Sequence, residues 1–198
     1  MKILNCEQGS PEWFAARVGI PTASCFDKII TTKGERSKQR EDYLYQLAAE
    51  LLSGEKAPSY QSPAMEHGID TEAEARFTYE LNNNVTVTQV GFCIHEDMLA
   101  GCSPDGIVEK EHGLEIKCPL GKTHIKYMLD GKLPTEYFQQ VQGSMYVTGF
   151  DRWDFMSYFP GIKPFIVVVK RDEEWIKRLH EELVLFKQDL NNIMEKLK

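Results

Sequence analysis

Three polar residues stand out by type and spacing. Asp105 lies in Ser103-Pro104-Asp105-Gly106, and ten residues later Glu115 lies in Leu114-Glu115-Ile116-Lys117. On a strand, alternation puts Glu115 and Lys117 on one face and Ile116 on the other. If the strand ending at Asp105 neighbours the one carrying Glu115, two carboxylates and an ammonium converge. Such a pair of carboxylates suits Mg²⁺ or Mn²⁺, hard cations that complete their shell with water and substrate phosphates. A cation held there lowers the pKa of its water and offsets charge building on a phosphodiester. Lys117 would orient the attacking water or help to deprotonate it. The competing reading is a surface hairpin, since Asp-Gly is a common turn dipeptide and Glu-x-Lys recurs by chance. The apolar strand pattern around Glu115, and Cys118-Pro119 directly after it, favour the chemistry.

Elements must position these groups. Ser10-Pro11-Glu12 reads as an N-cap with proline at the first helical position, opening a short helix through Arg17. Thr22-Ala23-Ser24 opens a second helix ending near Ile30. Residues 32–40 form a polar, basic loop. Leu44, Leu47, Ala48, Leu51 and Leu52 recur at helical spacing, which predicts a helix from about Ser37 to Leu52. Ser62-Pro63 starts another, to about Leu81, and Asn82-Asn83-Asn84 is a turn. Strands are predicted around Val85, Val87 and Val90–Ile94, then at Ala100–Val108 and Leu114–Lys117, these two joined by a turn at Lys110–Gly113. Helices over 121–130 and 135–147 precede strands at Trp153–Phe159 and Phe165–Val169. Asp172 caps a long last helix, which serves assembly, a partner or plain packing. This order predicts one α/β (α+β) domain over 1–198, with a mixed central β-sheet flanked by helices.

Composition narrows the class. Apolar residues are 42% and charged residues 27%, with no apolar run long enough for a membrane span. Met1 to Glu7 has no apolar signal core, so the expected location is cytoplasmic. Five cysteines, Cys6, Cys25, Cys93, Cys102 and Cys118, show no C-x-x-C pair, which favours reduced thiols over disulfides or structural zinc. The net charge of −7 argues against a nucleic-acid partner taken alone. Positive charge is nonetheless clustered. Lys28, Lys33, Arg36, Lys38 and Arg40 crowd one loop, and Lys117, Lys122, Lys126 and Lys132 follow the second carboxylate. Both clusters are either solvated surface or the lining of a DNA path.

Pro104-Asp105…Glu115-Ile116-Lys117, with Ala100-Gly101-Cys102 before it and Cys118-Pro119 after, resembles the PD-(D/E)xK nuclease signature. It is similar in particular to the phage-type exonucleases, lambda exonuclease and its YqaJ-like viral recombinase relatives. Gln8-Gly9-Ser10-Pro11-Glu12-Trp13, Met65–Glu72 and Tyr137–Tyr146 extend the resemblance over about residues 8–160. It implies a restriction-endonuclease-like core. It implies Asp105, Glu115 and Ile116 at the metal, with Lys117, Glu72 and Gln140 as catalytic groups. It implies that Arg17, Ser24 and Ser103 hold the 5′-phosphate of a DNA end. Gly68 and Glu72 would share a helix face, Gln142 and Tyr146 would touch substrate or support the centre, and His67 is read as structural.

The implied activity is 5′→3′ digestion of one strand of linear duplex DNA to 5′-mononucleotides, with Mg²⁺ or Mn²⁺. The implied partners are DNA ends, two further copies in a trimeric ring and a single-strand annealing protein of phage recombination. No cysteine follows Cys118, so no iron–sulfur cluster is expected. The alternatives are an endonuclease or CRISPR-associated relative, and a DNA-binding module with a decayed site.

Overall fold

The computed structural model describes residues 1–57 and 63–197, and for residues 63–70 only the backbone. The chain runs β1 (Lys2–Leu4), α1 (Pro11–Ala16), a 3₁₀ turn (Ala23–Lys28), α2 (Arg40–Ser53), α3 (Pro63–Asn83), β2 (Val87–Thr88), β3 (Phe92–Ile94), β4 (Gly101–Cys102), β5 (Gly106–Val108) and β6 (His112–Lys117). It continues through α4 (Gly121–Asp130), a 3₁₀ turn (Thr135–Tyr137), α5 (Phe138–Thr148), β7 (Arg152–Ser157), β8 (Phe165–Lys170) and α6 (Glu173–Lys196). Two sheets form, β1-β3-β4 and β2-β5-β6-β7-β8. The second is mixed, because β6 and β7 are parallel while its other pairs are antiparallel.

Several elements follow from local chemistry. Ser10 caps α1 by accepting from the Trp13 N–H at 3.2 Å, and Asp172 caps α6 by accepting from the Trp175 N–H at 3.0 Å. The expected strand over Ala100–Val108 is instead two, in different sheets. Pro104 has no N–H to donate, so Ser103-Pro104-Asp105 leaves one ladder and enters the next. The turn expected at Lys110–Gly113 lies earlier, over Glu109–Glu111, with Glu109 and Lys110 at positive φ and Val108 paired with His112. Residues 23–28 form a 3₁₀ turn rather than an α-helix. β1 has no counterpart in the sequence reading. The start expected at Ser62 lies outside the described residues.

Two cores pack on the central sheet. Leu114, Ile116 and Met156 join Ala75 and Tyr79 of α3 on one face. Trp153 joins α2, α5 and α6 on the other, around Leu47, Met145, Trp175 and Phe186. Gly143 lets α5 lie on the first 3₁₀ turn, since a Cβ there would sit 2.2 Å from a ring carbon of Phe26. No helix among the described residues is long and apolar enough to cross a membrane.

α6 also holds the basic loop. Arg36 makes a two-pronged contact with Glu182, and Arg40 pairs with Asp189 at 2.7 Å. The Trp175 indole donates to Thr31 O, and Arg178 donates to Lys33 O. Arg36 and Arg40 therefore tie the loop to the last helix, and Arg36 does so while its side chain stays 52% exposed.

Candidate active site

The site is assembled where β5 meets β6. Gly106 pairs with Leu114, so Asp105 lies at the strand end beside Glu115. Asp105 Oδ2 accepts from the Ile116 N–H at 2.6 Å, taking the place of a ladder partner. Alternation on β6 is as expected, with Ile116 in the α3-side core and Glu115 and Lys117 on the opposite face. Glu115 is 1% exposed. Its Oε1 accepts from Lys117 Nζ and from Gln140 Nε2, both at 2.5 Å. Gln140 reaches it from the first turn of α5. Lys117 Nζ also lies 5.3 Å from the centre of the Tyr137 ring.

Glu72 comes from α3. Its Oε1 accepts from Arg76 Nη2 at 2.5 Å, and Arg76 Nε donates to Asp105 O at 3.3 Å. Three carboxylates and two cations thus share one region. Burial pushes the Glu115 carboxyl up to about 7; Lys117 opposes the shift, and Asp105 and Glu72 add to it. Burial raises Asp105 as well, against Lys117, the Ile116 N–H and Arg76. Glu72 is raised by burial and then by Asp105. Burial would lower the Lys117 ammonium, but Glu115 and Asp105 outweigh it and hold the pKa above its usual value. With the carboxylates unmetalated, Lys117 is therefore a charged donor to Glu115.

Glu115 Oε2 is buried and has no hydrogen-bond partner. Leaving such an acceptor unmet costs about 1–3 kcal/mol, more for an ionised group. A divalent cation beside Asp105 would satisfy it, so the donor set fits a metal. Ile116 can contribute only its main-chain carbonyl, which in an extended strand points to the same edge as the N–H that Asp105 accepts. Among the described residues no three His, Cys, Asp or Glu side chains form a ready cage. Two carboxylates and a carbonyl leave positions for water and phosphate oxygens, as Mg²⁺ prefers.

Two residues before Asp105, Ser103 Oγ accepts from the Trp13 indole N–H at 2.9 Å and from Arg17 Nη1 at 3.1 Å. Arg17 stacks on Trp13, 3.9 Å from the ring centre. With both acceptor positions occupied, the Ser103 hydroxyl keeps its own proton to donate. Arg36, Arg40, Arg76, Arg152, Arg171 and Arg178 all form ion pairs, whereas no carboxylate partner of Arg17 occurs among the described residues. A half-buried arginine without a carboxylate is set to receive an anion from outside. A cleft of about 1040 Å³ holds Trp13 and Arg17 on one side and Glu72 and Arg76 on the other.

Ser24 is not brought into contact with Arg17 or Ser103. It is exposed, and its hydroxyl lies 3.3 Å from Thr22 Oγ1. Its turn does abut the strand leading to Ser103, since Gly101 N donates to Pro21 O at 3.0 Å. Gln142 and Tyr146 also lie apart from the centre. Gln142 bonds Lys170 O and the Asp172 N–H, and Tyr146 bonds His180 and stacks on His95. The backbone at Gly68 and His67 belongs to α3, and the side chain of His67 lies outside the described residues.

Sequence reasoning assigned no role to Arg76, Gln8 or Tyr137. Gln8 Nε2 donates to Pro104 O and Val90 O, both at 2.9 Å, and so holds the Ser103–Asp105 turn from the N-terminal side. The i,i+4 spacing of Glu72 and Arg76 was the one available signal for the arginine.

Known proteins are similar to this chain in sequence and fold. The family described as the YqaJ-like viral recombinase domain matches residues 12–151. LHK-Exo, an alkaline exonuclease from Laribacter hongkongensis, superposes in its complex with dAMP at a TM-score of 0.86, with 34% identity over 96% of each chain. A phage-related exonuclease from Haemophilus somnus 129PT shares the fold, with a TM-score of 0.67 and 15% identity over 90% of this chain and 96% of that one. Protein R354 of Acanthamoeba polyphaga mimivirus is 29% identical over 171 residues, which is 79% of this chain and 30% of that protein, so the chain spans under a third of that relative. Through the matched residues and the LHK-Exo superposition, the chain belongs to the YqaJ-like viral recombinase family, the lambda exonuclease-like phage branch of the PD-(D/E)xK nucleases.

Proposed function

We propose that the chain is a metal-dependent exonuclease that engages an end of duplex DNA by its 5′-phosphate and digests that strand 5′→3′ to mononucleotides. The observation that carries this reading is the Ser103-Pro104-Asp105 turn. One turn carries Ser103, bonded to Arg17, and Asp105, bonded to the Ile116 N–H, and would present the first to a terminal phosphate and the second to the scissile one. The distance between anchoring and cutting is then fixed by the backbone, which is what releasing one nucleotide at a time requires. That LHK-Exo was captured with dAMP, a mononucleotide, agrees with such a product.

Asp105, Glu115 and the Ile116 carbonyl would hold Mg²⁺, with Mn²⁺ as an alternative. When bound, the ion supplies Lewis acidity toward water and the phosphodiester. Lys117 donates to the attacking water and screens charge on the phosphate. Gln140 and Lys117 fix Glu115 Oε1 and so set where Oε2 points. Glu72 stands beside Asp105 as a third acid and can take a hydrogen bond from water. Arg17 and Ser103 bind the terminal phosphate, and Ser24 would join them only by a shift of its turn.

The reading extends to a homotrimer around DNA, to a single-strand annealing protein as partner in phage-type recombination, to the host cytoplasm as location, and to 1–198 as one nuclease domain. The decisive experiment offers linear duplexes with 5′-phosphate or 5′-hydroxyl ends, and a closed circle, with Mg²⁺ or EDTA. Mg²⁺-dependent release of mononucleotides from phosphorylated ends is expected. Cutting of the circle would replace the reading with an endonuclease.

A further inference from the structure

We propose that Arg76 is a positioning residue that holds Glu72 and the Asp105 turn in one arrangement, an inference that rests on the reading of the centre given above. Arg76 follows Glu72 by one turn of α3, and its side chain is 13% exposed. Its three nitrogens face three different segments. Nη2 donates to Glu72 Oε1 at 2.5 Å, and Nε donates to the main-chain oxygen of Asp105 at 3.3 Å. With the Gln89 amide oriented carbonyl-first, Gln89 accepts from Nη1 and Nη2, both at 3.0 Å. The planar guanidinium thus joins α3, the metal-side turn and the segment between β2 and β3.

Its partners show why this joint is needed. Glu72 lies near Asp105, and like charges in a half-buried space drive each other apart. The Asp105 turn is also held by the Ile116 N–H on its carboxylate, by Gln8 on Pro104 O, and by Trp13 and Arg17 on Ser103 Oγ, none of which lies on α3. Tyr79 and Glu74 anchor α3 to the sheet through Asp154 and Tyr158, away from that turn. Arg76 bonds both Glu72 and the main chain of Asp105, and so joins the helix carrying one to the turn carrying the other. A lysine offers one point of charge and cannot meet all three acceptors. Arg17 is the opposite case, because its guanidinium has no carboxylate among the described residues and faces the same cleft. Arg76 is engaged by the protein, so its effect belongs in turnover rather than in DNA capture.

The test compares wild type with Arg76→Met, Arg76→Lys and Gln89→Ala. Three measurements are made: kcat and KM on 5′-phosphorylated and 5′-hydroxyl duplexes, Mn²⁺ binding to DNA-free protein by electron paramagnetic resonance, and thermal melting. Arg76→Met should lower kcat about 10- to 100-fold, the range seen when outer-shell partners are removed. KM and the preference for phosphorylated ends should stay unchanged, and Mn²⁺ binding should weaken. Arg76→Lys should recover part of both, and Gln89→Ala should move the same way by less.

A raised KM with unchanged kcat would make Arg76 a DNA contact and overturn the proposal. Tighter Mn²⁺ binding in Arg76→Met would also overturn it, since the arginine would then act only as a competing charge. If wild type lacks end-directed cleavage, the function proposed above fails while the Mn²⁺ measurement still decides on Arg76. If Arg76→Met does not fold, Arg76→Lys and Gln89→Ala carry the same comparison.

Discussion

The loop before α2 and the cleft beside α1 both present arginine, yet the two regions treat it differently. Arg36 and Arg40 are matched by Glu182 and Asp189 on α6. Arg17 meets Ser103 and the Trp13 and Phe92 rings, and no carboxylate pairs with it among the described residues. Charge that the fold has already paired holds elements together, whereas charge left unmet is available to a ligand. The carboxylates divide likewise. Glu50 is 1% exposed and fully answered by Lys56, Gln46 and the Gly19 N–H, while equally buried Glu115 keeps one oxygen without a partner.

The largest expected effect tests the unmet carboxylates. Asp105→Ala should lower cleavage by more than about 100-fold while leaving the Kd for phosphorylated duplex near wild type, read by a gel or fluorescence binding assay. Activity within a few-fold of wild type would refute the metal assignment. Next comes Arg17→Ala. Removing a charged hydrogen-bond donor costs about 1.5–3 kcal/mol, so the preference for 5′-phosphate over 5′-hydroxyl ends should fall about 10- to 100-fold in kcat/KM. An unchanged preference would show that Arg17 is not the phosphate anchor.

The pH dependence of Glu115 sharpens the same contrast. Its carboxyl is pushed up to about 7 by burial, from an ordinary 4.5. At limiting Mg²⁺, cleavage should rise as pH climbs through about 7, because the ion competes with that proton. Stability moves the other way. The folded state keeps the proton to about 7 while the unfolded chain releases it near 4.5, so the metal-free protein should lose stability as pH rises across that window. Calorimetry in EDTA between about pH 5 and 8 should show Tm falling, and Mg²⁺ should restore it at the upper end. A metal-free Tm that rises over the same range would contradict this account of Glu115.

The smallest effect belongs to the paired loop. Arg36→Glu with Lys38→Glu should lower stability by about 1 kcal/mol, since an exposed pair contributes about 0.2–1 kcal/mol and the new glutamate faces Glu182. DNA affinity and its salt dependence should change little, and adding Glu182→Arg should recover the melting temperature. A large loss of DNA binding instead would return this loop to the DNA path.

The centre was legible because strand alternation is a local rule. Asp105, Glu115 and Lys117 could be placed together from a strand period and one assumed pairing, and β5–β6 pair in that way. The caps Ser10 and Asp172 were legible for the same reason. Less legible were positions whose role depends on remote segments. Gln142 and Tyr146 share a helix with Gln140, but six residues of α5 carry the chain away from the centre, toward α6. Ser103-Pro104-Asp105-Gly106 interrupts the apolar pattern at the split, but a local break does not reveal that the two halves join different sheets.

Sequence alone determined the types and spacing of the candidate site residues, the caps at Ser10 and Asp172 and the absence of a long apolar run, all of which depend on neighbours a few residues apart. Tertiary structure decided which charges are spent. Whether an arginine is paired with a carboxylate, like Arg40 with Asp189, or meets a hydroxyl and keeps its charge open, like Arg17 with Ser103, depends on contacts 149 and 86 residues away in the chain. Burial decided the rest, because desolvation pushes the Glu115 carboxyl up to about 7 and its second oxygen is buried without a hydrogen-bond partner.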